Sequence, residues 1–153
     1  MFKDNFFNFK IAEVEAVYNC RIKPSERVKI STSADVFNLL RDPWYDTIEH
    51  HESFGVLLLA RDNSVLGIHW VSHGGICGTV VDIRLVFQMA IKCLACSIVC
   101  CHNHPSGNKQ PSSYDDEITK KIKEAGKILD IQLLDHIILT TETYYSYADE
   151  GRL

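Results

Sequence analysis

The sequence predicts an α/β fold in which a mixed central β-sheet is flanked by helices. Two apolar runs, 53–60 and 65–72, lie on either side of a polar turn and predict an antiparallel hairpin. Two further apolar runs, 97–102 and 131–140, are separated by a segment with helical spacing, which predicts a helical crossover. A hairpin and a crossover within one sheet make that sheet mixed.

The first 44 residues are predicted to add a strand and a helix that pack on the same domain. Residues 10–21 alternate enough between apolar and polar side chains to predict the strand. Ser33 is placed to cap a short helix over residues 34–40. The Asp42-Pro43 pair is expected to end this helix, because the residue before a proline avoids helical backbone angles.

The other predicted elements belong to a main domain over residues 45–153. A glycine-rich bend after the hairpin leads to a helix over 80–95, whose apolar residues recur at near-helical spacing. A second helix over 112–128 is acidic at its start and basic later, as the helix dipole favours. A last short strand is expected at 144–147.

Size, composition and charge are those of a globular domain. The chain has 153 residues, of which 46% are hydrophobic and 24% charged, enough for one core. Its net charge of -4 argues mildly against non-specific binding to nucleic acid, although Lys120, Lys121, Lys123 and Lys127 form a local basic run. No apolar run is long enough to span a membrane, and the start of the chain lacks a signal-peptide pattern. We therefore expect a cytoplasmic protein with reduced cysteines.

The strand over 97–102 leads into the most informative motif, His102-Asn103-His104. Alternate side chains of a strand point to the same face, so the two imidazoles can converge on one ion. Asp115 follows in the first turn of the next helix, whereas the competing carboxylate of Asp116 points about 100° away around that helix. Two histidines and one carboxylate leave a fourth tetrahedral position open, which is typical of a catalytic zinc site.

A hydrolytic zinc site also needs a group that takes a proton from the attacking water. Glu52, directly before the hairpin, is our candidate for this general acid/base; Glu49 is the runner-up, and a solvated charge cluster is the alternative to both. Ser112 has two compatible interpretations: it caps the helix together with Asp115, or its hydroxyl stabilises an oxyanion. His136 is interpreted as a core group or a support for a ligand.

These residues together resemble the JAMM (MPN+) metallopeptidase motif, in which an upstream Glu is followed by His-x-His, seven residues, Ser, two residues and Asp. More narrowly, the chain resembles the RadC family over about residues 45–153. The segments that carry this resemblance are His102-Asn103-His104-Pro105-Ser106-Gly107, Pro111-Ser112, Asp115 and Leu134-Asp135-His136.

The resemblance implies a JAB/MPN fold of the cytidine-deaminase-like type. It implies zinc bound by His102, His104 and Asp115, with Glu52 as acid/base and Ser112 supporting the intermediate. JAMM relatives hydrolyse peptide or isopeptide bonds, so we expect a zinc-dependent hydrolase with a protein or peptide substrate. The RadC name is associated with DNA repair, which keeps a non-enzymatic accessory factor in repair or recombination as the alternative.

The chain resembles a short RadC-like form that lacks the helix-hairpin-helix region of the full-length family. Direct contact with DNA is therefore the weaker expectation, and the resemblance leaves the oligomeric state open.

Overall fold

The computed structural model describes Glu15 and residues 17–44, 46–75 and 78–153. Its helices are α1 (Ser33–Trp44), α2 (Ile83–Lys92) and α3 (Ser113–Leu129), and its strands are β1 (Ser53–Leu59), β2 (Val65–His73), β3 (Ser97–Asn103), β4 (Gln132–Leu139) and β5 (Tyr144–Ser146). A 3₁₀ turn over Pro24–Glu26 precedes α1. Among the helices described, none is both long and apolar enough to cross a membrane.

The described strands form one mixed sheet in the order β2-β1-β3-β4-β5. Strand β1 pairs antiparallel with β2, as the hairpin prediction requires, and also antiparallel with β3. Strands β3 and β4 are parallel, with α3 as the crossover between them, and β5 pairs antiparallel with β4. The predicted α/β fold with a mixed central sheet and flanking helices is confirmed, and it is consistent with a JAB/MPN fold.

One face of the sheet packs against α2 and α3 and the other against α1, and each face has its own hydrophobic core. The core between the sheet and helices α2 and α3 includes Phe54, Cys100 and Ile122. The core between the sheet and α1 includes Trp44 and Cys101. Every residue of β1 and β3 is buried, which explains why these strands are almost continuously apolar in sequence.

The strand predicted over residues 10–21 is not formed in the part of that range that the structure describes, Glu15 and residues 17–21. The rest of the range lies outside the described residues. Between residues 17 and 20, side chains alternate between exposed and half-buried. Tyr18 packs on the core beside α2, and its hydroxyl donates to the carbonyl of Leu66 at 3.3 Å. Alternation of apolar and polar residues shows only that one side of a segment is buried. A segment that lies against the domain without pairing to a strand has the same alternation.

Helix α1 is capped by Thr32 rather than by Ser33, so the prediction of the cap was wrong by one residue. The Thr32 hydroxyl accepts a hydrogen bond from the Asp35 N–H at 3.2 Å, and the Asp35 carboxylate accepts one from the Thr32 N–H at 2.8 Å. This reciprocal pair is a capping box. The Ser33 hydroxyl instead donates to Asp149 at 2.5 Å and thereby ties α1 to the end of the chain.

Helix α1 also continues through Pro43, although the Asp42-Pro43 pair was predicted to end it. A proline in the last turn removes one backbone hydrogen bond of the helix. The next residue, Trp44, is fully buried in the core under α1, and its indole N–H donates to Asn103 at 2.9 Å. Burial of this large side chain stabilises the extra turn, which a local rule about proline does not take into account.

Candidate metal centre

The carboxyl end of β3 and the first turn of α3 bring three possible metal ligands together. His102 lies in β3, His104 directly follows the strand, and Asp115 lies in the first turn of α3. One ligand atom from each of them lies within 4.8 Å of the others. The side chains of His102 and Asp115 are 1% and 6% exposed and that of His104 is 14% exposed, so the group is almost entirely buried.

The spacing of the three side chains suits one tetrahedral ion. The two Nε2 atoms of His102 and His104 are 3.0 Å apart. Asp115 places Oδ1 3.2 Å from the His102 Nε2 and Oδ2 3.6 Å from the His104 Nε2. Ligand atoms that bind one zinc ion at tetrahedral angles are about 3.3 Å from one another. The donor set of two imidazoles and one carboxylate therefore fits zinc in geometry as well as in type.

The electrostatics of the group favour an ionised carboxylate. Burial opposes the ionisation of Asp115, but hydrogen bonds from His102, His104 and Ser112 outweigh it and hold the pKa of Asp115 far below its usual range. Burial lowers the pKa of His104, and its contacts with Asp115 and with the Asn108 carbonyl reverse that effect, so the net shift is upward. The Asp115 carboxylate is therefore negatively charged and can bind a cation.

Ser112 forms a capping box with Asp115 at the start of α3. Its backbone N–H and its hydroxyl both donate to Asp115 Oδ2 at 2.7 Å, and its hydroxyl accepts from the Asp115 N–H at 3.2 Å. The capping interpretation of Ser112 is confirmed. The same bonds hold Oδ2 of Asp115 in place and leave Oδ1 facing His102.

A chain of hydrogen bonds supports His102 from behind. The His102 Nδ1 lies 2.8 Å from the Nε2 of His136, the His136 Nδ1 lies 2.6 Å from the Thr119 hydroxyl, and that hydroxyl donates to the Asp115 carbonyl at 2.5 Å. If the His102 Nε2 binds a metal, its Nδ1 carries the proton and donates to His136, which in turn donates to Thr119. Burial keeps the pKa of His136 well below its usual value, so His136 is neutral, as this direction requires.

His104 is held by the turn that follows β3. Its Nδ1 lies 2.7 Å from the carbonyl oxygen of Asn108, so Nδ1 is the donor and Nε2 is left as the ligand atom. The turn closes with a hydrogen bond from the Gly107 N–H to the His104 carbonyl at 3.0 Å. Gly107 has a φ of +75°, a backbone conformation that favours glycine.

Glu52 lines the same cleft as His104 and Asp115, and Glu49 does not. The cleft, of about 880 Å³, is lined by Glu52 together with His104 and Asp115. The charge of Glu52 contributes to the upward shift in the pKa of His104. Glu49 instead lines a separate hollow with Arg41. Of the two carboxylates considered from the sequence, the structure therefore brings only Glu52 to the histidines.

A tight glycine turn clamps the backbone of Glu52. The Glu52 N–H donates to the Gly75 carbonyl at 3.3 Å, and the Glu52 carbonyl accepts from the Gly74 N–H at 2.7 Å. A Cβ atom at Gly74 would lie 2.2 Å from the Gly78 carbonyl oxygen, so the turn requires glycine at this position. This clamp determines where the Glu52 side chain leaves the backbone.

Asn103, between the two histidines, is a residue that the sequence interpretation missed. It is fully buried on the α1 side of the sheet. Its Oδ1 accepts from the Trp44 indole at 2.9 Å and from the Ser53 N–H at 2.8 Å. Its Nδ2 donates to the carbonyls of Ile48 and His51 at 2.8 Å and 2.9 Å. One amide thus joins the end of α1 to the segment that carries Glu52. The sequence does contain a sign of this role: an asparagine follows a buried apolar strand. A buried amide needs a hydrogen-bond partner for each of its polar atoms.

Asp116 points away from the group formed by His102, His104 and Asp115, as its position on the helix predicted. Its carboxylate accepts from the Tyr147 hydroxyl at 2.8 Å and pairs with Arg152 at 2.7 Å.

The hydrogen bond from His102 agrees with the interpretation of His136 as a support for a ligand.

The chain is similar to one family of JAB domains and to UPF0758 proteins of bacteria. Residues 30–152 match the family described as RadC-like JAB domain. The chain is 48% identical over 123 residues to a UPF0758 protein of Flavobacterium johnsoniae, covering 80% of this chain and 53% of that protein. It is 39% identical over 127 residues to a UPF0758 protein of Staphylococcus haemolyticus, covering 83% and 55%, respectively. The chain thus spans about half the length of the curated relatives it matches.

Proposed function

The chain belongs to the RadC-like JAB domain family, and on this premise we propose that it is a zinc-dependent hydrolase of the JAMM metallopeptidase type, which cleaves an amide bond in a peptide or isopeptide. The observation that carries the proposal is the group formed by His102, His104 and Asp115, of which His104 and Asp115 line a cleft that also contains Glu52. Three protein ligands and an open side are typical of catalytic zinc sites.

The residues around the ligands support this choice of metal. His102 and His104 each have their Nδ1 hydrogen-bonded to a partner. This leaves both Nε2 atoms as ligand atoms for one metal ion. When bound there, zinc would supply Lewis-acid activation of a water molecule and of the substrate carbonyl. Such supporting contacts raise the affinity of a site for its metal.

Glu52 would act as the general acid/base. Its half-buried carboxylate takes a proton from the attacking water as the water oxygen bonds to the carbonyl carbon of the substrate. The same carboxyl then gives that proton to the amide nitrogen as the C–N bond breaks, so the products are a carboxylate and an amine. The backbone clamp at Gly74 and Gly75 keeps this group at the cleft through both transfers.

Ser112 would support the oxyanion of the tetrahedral intermediate. Its hydroxyl lines the cleft and donates to Asp115 in the structure. Rotation about its χ1 angle would redirect this donor to an oxyanion, while the Ser112 backbone N–H continues to hold Asp115 Oδ2.

An accessory role on DNA is the second candidate. Lys120, Lys123 and Lys127 recur at spacings of three and four and so share one side of α3, whereas Lys121 pairs with Glu117. Three lysines on one side of a helix, in a chain of net charge -4, would attract the DNA backbone only weakly. DNA binding by the purified chain that weakens steeply with added salt would favour this role.

Digestion of a pool of peptides, including lysine-linked isopeptides, tests the hydrolase. The zinc-loaded chain is incubated with the pool, and new amines and carboxylates are identified by mass spectrometry. We expect cleavage that stops when a chelator is added and resumes when zinc is restored. A pool left intact by the zinc-loaded chain would contradict the proposal.

A further inference from the structure

We propose that Val80 and Tyr114 form an apolar subsite in the cleft, which holds an uncharged, apolar side chain of an extended peptide next to the bond to be cleaved. This inference rests on the proposed hydrolase, because it assigns a substrate class to the same cleft. The sequence interpretation assigned no role to either residue.

The first observation is the exposure of apolar side chains inside the cleft. Val80 is 82% exposed and Tyr114 is 43% exposed, and both line the cleft that contains Glu52 and His104. A single exposed apolar residue on a convex surface needs no explanation. Two of them on the wall of a concave site, beside polar groups that can orient a substrate, are typical of a ligand pocket.

The second observation is that this wall is held in place. The Tyr114 hydroxyl accepts a hydrogen bond from the Val81 N–H at 3.3 Å, which links the start of α3 to the segment before α2. Val81 itself is buried in the core, so the backbone directly after Val80 is anchored. An apolar surface that is already ordered binds a side chain without the entropic cost of ordering the protein.

The third observation is the charge of the cleft. Among the described residues that line it, none is a lysine or an arginine. Its acidic side chains are Glu52 and Asp115, and two carboxylates balance the charge of one divalent ion. The cleft therefore has no surplus of positive charge to hold a phosphate or the free carboxyl end of a peptide. This arrangement favours an internal amide with a neutral neighbour.

The test compares capped peptides that differ in one side chain. N-acetyl-Gly-Leu-Gly-amide is titrated into the protein, with N-acetyl-Gly-Asn-Gly-amide as the polar peptide of similar shape, and binding is followed by NMR at the amides of Thr79 and Tyr114. We expect the leucine peptide to bind about tenfold more tightly, since burial of a leucine side chain contributes about 1.5 kcal/mol or more. We expect the same preference in zinc-loaded and zinc-free protein, because the wall consists of side chains alone.

A matched pair of variants locates the preference. V80D places a carboxylate on the wall, and V28D makes the same change at a valine that is 51% exposed and bonded to Val65, at the far end of the hairpin from Glu52. We expect V80D to abolish the preference for leucine and V28D to leave it unchanged. Equal binding of the two peptides, or equal effects of the two variants, would overturn the subsite.

The outcome separates this inference from the proposed function. A preference for leucine in a protein that cleaves nothing would refute the hydrolase and keep the subsite. Cleavage without such a preference would refute the subsite alone.

Discussion

His102 and His136 are joined by a hydrogen bond of 2.8 Å between Nδ1 and Nε2, and both rings are buried. A histidine that binds metal is often supported by a carboxylate or a backbone carbonyl. Here the support is a second, neutral imidazole, whose own proton goes to Thr119. When His102 donates from Nδ1 in this chain and is neutral, its Nε2 carries no proton and can bind a metal.

Removing the support of His102 should weaken zinc binding. The variant H136F keeps a ring that can stack on Tyr147 as His136 does, at a centroid distance of 5.2 Å, but offers no acceptor to His102. We expect the dissociation constant for zinc to rise about 10- to 100-fold, measured by competition with a chelator. The control H69F changes a half-buried histidine of β2. An unchanged zinc affinity in H136F would show that His136 serves packing alone.

Replacing Glu52 should separate chemistry from metal binding. E52Q keeps the size of the side chain but removes its ability to accept a proton at neutral pH. We expect hydrolysis to fall about 10²- to 10⁴-fold while the zinc content stays the same. The control E49Q changes the carboxylate in the neighbouring hollow and should leave both quantities unchanged. If E49Q lost the activity and E52Q kept it, the assignment of the base would be wrong.

Asn103 should be essential for stability although it touches no ligand side chain. In N103L the indole N–H of Trp44, the N–H of Ser53 and two backbone carbonyls lose their shared partner in a buried site. Each buried polar group without a partner costs about 1–3 kcal/mol, so we expect the free energy of unfolding to fall by about 3 kcal/mol or more. Urea denaturation measures this, with N38L on the exposed side of α1 as the control. A loss below about 1 kcal/mol would contradict the account of Asn103.

The glycine turn that clamps Glu52 should resist even the smallest side chain. In G74A the new Cβ would meet the Gly78 carbonyl oxygen at 2.2 Å, so the turn must shift and move the Glu52 backbone with it. We expect slower hydrolysis with a normal zinc content. G67A, on β2, adds the same methyl group where nothing lies within 4 Å. Equal activity in G74A and G67A would show that the clamp does not position Glu52.

Much of the fold and of the metal group follows from local patterns. The alternation of a strand places His102 on one face of β3, and the 3.6-residue period of a helix separates Asp115 from Asp116. The capping box of Ser112 and Asp115 is likewise visible within four residues of sequence. These features depend on neighbours along the chain, so a single sequence is enough to predict them.

Other features depend on contacts between distant segments, which the sequence patterns do not report. Trp44 extends α1 past Pro43 because it reaches Asn103, 59 residues later. The choice between Glu52 and Glu49 depends on the turn at Gly74 and Gly75, about 20 residues further along the chain. Tyr18 contacts Leu66, 48 residues later, and this packing accounts for the half-buried side of the described part of the segment that was predicted as a strand.

The zinc content of the purified chain, after loading with zinc and dialysis, is the most direct test of the metal centre. We predict about one zinc ion per chain in the unaltered protein and in D116N, whose carboxylate faces Tyr147 and Arg152. We predict a large loss of zinc in H104A and in D115N, with the fold of each variant checked by circular dichroism. An unaltered protein that retains no zinc, or an H104A variant that retains all of it, would contradict the account.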